Sequence, residues 1–402
     1  MEDRTRAYLR GRFRDYYRRA NVLSPPDAGQ REWGYIPFSP DGTTMVRHQS
    51  LVDIGSVSEF LADRRPRHVY FSAGYYETPG AQTMEEKNWQ GSDLVFDLDA
   101  DHLPGINPDE TTYKAMLTAC KDALMRLLSF IEEDFNFTDL TVVFSGSRGY
   151  HVHVRDESVK KLDREDRREI VEYIRGVDVG VDQIIDTEAV QGTAGRKSPA
   201  EKRTLRTNGG WGRRVHEQLV ELVSELQTID EKQATMRLQS FEGIGTESTT
   251  AILRAIQENP DAIKQGNIDL HSAFLKIVRK LTEETIKNER APIDEPVTTD
   301  THRLIRLPGS LHGGSGLKVQ RIDRDEISDF DPLVDAVPEA FTKHDITIEI
   351  TDLSEYPPYD EDSWGKIELG GDSFELTEGL DSYPEYLGVF LMTRGHAEKE
   401  KE

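Results

Sequence analysis

Cysteine is almost absent from these 402 residues: Cys120 stands alone, which excludes an internal disulfide and any zinc site built on cysteines. Long apolar runs are missing as well. No stretch of about 18 apolar residues occurs, and Met1 to Asn21 is charged where an export leader would be apolar. The sequence therefore predicts a soluble, cytoplasmic protein with neither membrane span nor secretory signal. Bases are scarce relative to acids, 50 against 74, for a net charge of −24. In ordinary salt so acidic a surface repels polyanions. In molar salt the Debye length falls to about 3 Å and carboxylates are screened beyond contact. That objection to a nucleic-acid partner then lapses, and the composition reads as that of a salt-accumulating halophile. On composition alone, an acidic enzyme with a small substrate fits equally well.

Apolar residues make up 36% of the chain, enough for a large core. Thr5 to Arg19 reads as an arginine-rich helix, followed by short strands near Tyr35–Phe38 and Thr43–His48. Strands are predicted at His68–Ala73 and Ser92–Asp99, where β-formers cluster. Between Thr112 and Phe135, Met116, Leu117, Cys120, Leu124, Leu127, Leu128 and Ile131 recur at spacings of three and four, the signature of a helix with one apolar stripe. Cys120 sits on that stripe as a small core residue. Leu140–Phe144 and His151–Val154 form a predicted hairpin around a glycine turn, and from Asp156 to about Glu289 the pattern is mainly helical. A polar break at 192–214 interrupts it; strands are expected again near Pro296–Thr299 and Leu317–Arg321, ahead of an acidic tail segment. The layout implies an α+β protein in which a mixed sheet built from both ends of the chain is interrupted by a helical insertion.

Three segments carry chemistry. In Asp93-Leu-Val-Phe-Asp97-Leu-Asp99, strand alternation sends Leu94, Phe96 and Leu98 inward and brings Asp97 and Asp99 out on one face. Two such carboxylates repel unless a cation lies between them, and hard oxygen ligands select Mg²⁺ or Mn²⁺. A solvated strand end fits the same pattern. In Ser145-Gly-Ser-Arg148-Gly-Tyr-His151-Val-His153, a glycine turn allows close backbone approach and Arg148 offers a planar fork for phosphate. A plain hairpin with a structural histidine would look alike. The third segment, Asp294 to Gly314, mixes carboxylates with Arg306, a Pro308-Gly309 turn and His312, and could equally be an ordinary loop.

Taken in order, the three segments closely resemble the catalytic small subunit of archaeal and eukaryotic DNA primases, over roughly 1–185 and 290–395. Asp97 and Asp99 match that family's pair of metal-binding aspartates, and Ser145 to His151 matches its Ser-Gly-x-x-Gly-x-His signature. Asp294, 18 residues before His312, matches the third metal-binding aspartate; Asp300 competes for that role, and Asp294 is preferred because its distance to Arg306–His312 fits the family better. The resemblance implies that Ser145, Arg148, His151, Arg306 and His312 hold the triphosphate of an incoming nucleotide. Weaker matches lie at Arg31-Glu32, at Arg47-His-Gln-Ser, where Arg47 also meets phosphate, and at Phe71 to Tyr76.

The implied fold is the primase catalytic fold flanked by helices, with catalytic parts at 1–190 and 290–402 and a helical insertion at 191–289. The implied activity is template-directed primer synthesis from NTPs or dNTPs on single-stranded DNA, by in-line displacement with two Mg²⁺ or Mn²⁺ ions. Asp97 and Asp99 would bridge both ions, and Asp294 would complete the site of the ion nearer the primer hydroxyl. Family members commonly carry a small zinc site after the aspartate strand; here only His102 and Cys120 are available in that stretch, so no zinc is expected. A large primase subunit is the expected partner, and its iron-sulfur cluster cannot reside in a chain with one cysteine. Arg196 to Arg214 holds seven bases against Glu201, a local +6, and is a candidate nucleic-acid contact as well as a plain solvated loop. Two rival activities remain at this level: a polymerase that only extends existing ends, and a two-metal nuclease.

Overall fold

The computed structural model describes residues 1–40, 44–108, 110–190, 200–353 and 365–401. Its contacts divide the chain into two units. The first comprises Met1–Leu124, Phe137–Val171 and Pro292–Glu402, and the second Met125–Asn136 and Glu172–Ala291. No helix among the described residues is long and apolar enough to cross a membrane.

Two four-stranded sheets organise the first unit. One runs in the order Leu304–Arg306, His68–Ser72, Trp33–Ile36, Val46–Gln49, and the other Gln320–Ile322, Leu140–Phe144, Gly149–Val154, Leu94–Asp99. The α+β class holds, but every pairing among the described strands is antiparallel, so two antiparallel sheets stand where one mixed sheet was expected. Ala73, Val95, Val297 and Ile305 form a buried cluster, and the Phe71 ring stacks on His153 at 6.1 Å between centroids. Burial here includes charges. Arg31 and Asp93 are both fully buried and paired at 2.9 Å, with Arg155 3.3 Å from the same carboxylate. Asp93 thereby interrupts the predicted Ser92–Asp99 strand, which is two strands, Trp89–Ser92 and Leu94–Asp99.

A third sheet, in the order Gly379–Pro384, Asp345–Ile350, Ala397–Lys399, lies in the region read from sequence as an acidic tail. The N-terminal helix Asp3–Tyr17 packs against Ala397–Lys399, and the Lys399 amide donates to the Thr5 hydroxyl at 2.8 Å. The strand expected at Pro296–Thr299 is instead a short helix, Glu295–Thr299. β-Branched residues suggested a strand, but Pro296 suits a first helical turn. The Thr298 and Thr299 hydroxyls also donate to the carbonyls of Asp294 and Glu295, four residues back, at 3.1 and 3.0 Å.

In the second unit, helices Gly210–Thr228, Thr246–Glu258 and Ser272–Glu289 pack around Leu219, Ile252 and Val278, each fully buried. The stretch read as a basic loop is a hairpin arm, Ala200–Leu205 paired with Ile185–Val190, running into the first turns of the 210–228 helix. Arg196 and Lys197 lie outside the described residues. Of the other five bases, four are committed to carboxylates: Arg203 to Asp269, Arg206 to Asp186, Arg213 to Glu133 and Glu217, and Arg214 to Asp134. Those four guanidiniums are paired within the fold, so their share of the local charge is not free basic surface.

Candidate active site

The aspartate strand behaves as alternation requires. Leu94, Phe96 and Leu98 are fully buried, whereas Asp97 and Asp99 are half-buried on the opposite face. Across the ladder Asp97 faces His151 and Asp99 faces Gly149, so the glycine turn delivers the histidine to the first carboxylate with Nε2 3.3 Å from Oδ1. Glycine is required at 149, where a Cβ would collide with the Leu98 carbonyl oxygen. Burial pushes the Asp97 carboxyl up; His151, Arg306 and Arg303 outweigh it and hold it below the ordinary aspartate range.

Asp294 joins through the backbone: its amide donates to the Asp97 carbonyl at 2.9 Å, and the residue stands at the N-cap of the Glu295–Thr299 helix. Its carboxyl is held above the usual range, first by burial and then by the negative charge of Asp97. Asp99 accepts the Asp101 amide at 3.2 Å, and Asp101 takes Arg148 at 2.5 Å. Arg148, expected on phosphate, is therefore held in an ion pair and is one-third exposed. Among the described residues no three His, Cys, Asp or Glu side chains converge at metal-ligand distance.

A pocket of about 370 Å³ opens beside Asp97. Of the nine residues singled out from sequence, four line it: Arg47, Asp97, His151 and Arg306. Arg47 is held by buried Glu32 at 3.2 Å, and Glu32 is paired with buried Lys87 at 2.5 Å. Arg306, on the strand paired with His68–Ser72, lies 5.7 Å over the Tyr70 ring with its Nε buried and unpartnered. Asp99, Ser145, Arg148, Asp294 and His312 are outside the lining. His312 packs instead on the glycine turn: a Cβ at Gly146, whose φ is +83°, would come 2.6 Å from the His312 Cβ. The Gly314 amide donates to His312 Nδ1 at 3.2 Å, which leaves the ring proton on Nε2. Burial, then Arg306, His68 and Arg67, hold this imidazole well below its ordinary pKa, and His68 beside it is brought down to about 3. His312 is thus a neutral hydrogen-bonding group, where a charge on phosphate was expected.

Sequence reasoning missed Arg303, His302, Tyr70 and Met45 in the lining and gave Asp300 second place. The Asp300 carboxylate accepts the His302 amide at 2.9 Å, and His302 Nδ1 lies 3.1 Å from the Tyr76 hydroxyl. Arg303 and Arg306 form no ion pair among the described residues, so both charges face the pocket uncommitted. The signal was present in His302-Arg303-Leu-Ile-Arg306, where the apolar pair between bases marks a strand. Cys120 is fully buried with its sulfur 3.7 Å from the Leu98 carbonyl oxygen, and desolvation raises its thiol far above the usual range.

Residues 96–323 match the family model described as DNA primase small subunit. The chain is 57% identical, over the full length of both, to the DNA primase small subunit PriS of Haloarcula marismortui. It is 56% identical, again end to end, to that of Halobacterium salinarum. With the PriS of Methanothrix thermoacetophila it shares 39% identity across 99% of this chain and all of that one. Identity at this level over whole chains, together with the aspartate strand and its histidine partner, places the chain in the DNA primase small subunit family.

Proposed function

We propose that this chain is the catalytic subunit of a DNA-dependent primase, a nucleotidyltransferase that builds short primers for replication from NTPs or dNTPs on a single-stranded DNA template. The observation that carries the reading is the pocket beside Asp97, where Arg47, Arg303 and Arg306 converge and two of the three have no carboxylate partner. Three cations against Asp97 and Asp300 suit a polyanionic ligand such as a nucleoside triphosphate.

The donor set fits hard divalent cations. Asp97 and Asp99 share a strand face, Asp294 is tied to that strand by its amide, and the Asp294 carboxyl is raised first by burial and then by the negative charge of Asp97, the second of which a cation would relieve. Mg²⁺ or Mn²⁺ held by these three would supply Lewis-acid polarisation of the reacting oxygens. The chain's own groups do the rest. Arg303 and Arg306 neutralise and orient the phosphates, Arg47 closes the same side from its Glu32 anchor, and His312 donates from Nε2. His151 holds the Asp97 carboxylate in one orientation through their 3.3 Å contact. The protein acts in the cytoplasm with a large primase subunit as partner.

The test is unprimed synthesis on single-stranded DNA at high KCl with Mg²⁺ or Mn²⁺, comparing the wild type with Asp97→Ala. New chains that vanish in the variant are expected. Extension of supplied primers alone would replace the reading with that of an end-extending polymerase, and template degradation would sink both.

A further inference from the structure

Seven arginines fall within the first nineteen residues of a chain that is acidic elsewhere. In the helix Asp3–Tyr17 the buried stripe is Thr5, Leu9, Phe13 and Tyr17. Arg6, Arg10, Arg14 and Arg18 repeat the same four-residue step one position on, so they form a parallel ridge with a rise of about 6 Å between successive members. Arg6 is paired with Asp3. Arg10, Arg14 and Arg18 have no ion pair among the described residues, and the Arg14 Nε is buried without a partner. The helix packs against Val57–Arg64, which adds Arg64 and Arg65, likewise unpaired, with the Arg65 Nε again buried and unsatisfied. That second helix carries Glu59 and Asp63, yet neither forms an ion pair among the described residues.

The lack of partners is informative because acids are abundant. Arg12 on the other flank of the same helix finds Glu385, as Arg31 finds Asp93 and Arg47 finds Glu32. The ridge also leads toward the active site. The Tyr16 hydroxyl donates to the Gly309 carbonyl at 2.8 Å, and the Leu311 amide donates to the Tyr17 hydroxyl at 3.3 Å. Arg67, two residues beyond Arg65, donates to the Gly313 carbonyl at 2.9 Å. The helix end is thus fastened to the segment that carries His312.

We propose that the Arg10–Arg14–Arg18 ridge, flanked by Arg64 and Arg65, is the docking surface for the sugar-phosphate backbone of the single-stranded template. This rests on the primase reading above and adds to it where the strand lies. Regularly spaced guanidiniums meet successive phosphates without reading bases, as unspecific template capture requires. At contact distance, where screening no longer acts, the acidic remainder of the surface disfavours other paths for the strand. An acidic protein surface would satisfy the charges too, but the run of the ridge toward the His312 segment favours a strand that must reach the pocket.

The test uses the full chain with Arg10→Gln/Arg14→Gln/Arg18→Gln, and Arg254→Gln, an exposed arginine paired with Glu258, as control. Binding of a fluorescent oligothymidylate is followed by anisotropy across a KCl series. Each lost phosphate contact on single strands lowers the slope of log K against log salt by about 0.7, so the triple variant should lose about 2 in slope and the control nothing. Template KM should rise at least tenfold with kcat at saturating template unchanged. If the triple variant misfolds, Arg10→Gln/Arg18→Gln, both exposed, should lose about 1.4. An unchanged slope in a wild type that makes primers overturns the docking surface alone. A wild type that neither binds the oligonucleotide nor makes primers overturns the primase reading as well. A variant that binds DNA normally but loses an acidic protein partner overturns the nucleic-acid assignment.

Discussion

Replacing Glu32 by Gln should be among the most damaging single changes in the first unit, although Glu32 touches no substrate. Its carboxylate and the Lys87 ammonium are both fully buried and 2.5 Å apart. Lys87 has no other carboxylate partner among the described residues and otherwise meets the Tyr76 ring at 5.3 Å. Glu32→Gln therefore strands a buried cation, a defect that costs about 3–5 kcal/mol. Lys87→Met is milder, because Arg47 at 3.2 Å and the His48 amide at 3.1 Å still serve Glu32. The double variant removes both charges and should recover much of the loss, since a buried pair replaced by apolar or neutral groups is often close to neutral. Urea denaturation at fixed high KCl, with the two single variants and the double, gives the cycle. The expected coupling is at least about 2 kcal/mol. Single variants that each cost less than about 1 kcal/mol, or a double variant equal to their sum, would refute the reasoning. Glu32→Gln should also raise the nucleotide KM, because Arg47 loses its anchor at the pocket.

Glu32 also sets a pH dependence. Burial alone would raise its carboxyl, but Lys87, the His48 amide and Arg47 together hold it below the ordinary range. Its contribution is therefore present above the unfolded pKa and lost as pH falls through the folded one, so wild-type urea midpoints should drop in acid more steeply than those of the double variant. Asp294 has the opposite sign: its raised carboxyl is a penalty above the folded pKa, relieved as pH falls. Asp294→Asn should accordingly gain a little stability without divalent ions, under about 1 kcal/mol, while primer synthesis is lost. Arg303→Gln and Arg306→Gln should each raise the nucleotide KM roughly tenfold or more, as loss of a charged hydrogen bond worth about 1.5–3 kcal/mol requires; steady-state kinetics at saturating template measures this. Gly149→Ala, which sets a methyl against the Leu98 carbonyl, should cost about 1–3 kcal/mol in the same urea assay and impair synthesis by displacing His151 from Asp97.

Local pattern made some of this legible. The stripe from Met116 to Ile131 is a helix, and Leu140–Phe144 with Gly149–Val154 is the expected hairpin. Period-two alternation put Asp97 and Asp99 on one face, and the hairpin motif lay close enough to bring His151 opposite Asp97. What escaped depends on pairing between distant segments. Leu304–Arg306 is only three residues long and is a strand because His68–Ser72 accepts it, so Arg303, His302 and Asp300 could not be placed in the pocket from sequence. The third sheet hid behind acidic composition, since Asp345–Ile350 alternates buried Ile346, Ile348 and Ile350 with the polar Asp345, Thr347 and Glu349 in a region read by its charge. Charge is a poor guide to burial here: nothing in the sequence marks Lys87 and Glu32 as a buried pair, and four of the seven bases between Arg196 and Arg214 are paired with carboxylates.

The strand order of the first sheet constrains how the chain is made. Arg306 sits on a strand whose only partner among the described strands, His68–Ser72, is synthesised more than two hundred residues earlier. At 5–20 residues per second, a ribosome leaves the edge of His68–Ser72 open for roughly ten to fifty seconds before its neighbour emerges. Through that interval the nascent sheet presents unpaired backbone groups to any passing strand. The net charge of −24 gives such chains a shared negative charge whose repulsion reaches further as salt falls, which opposes that pairing between copies.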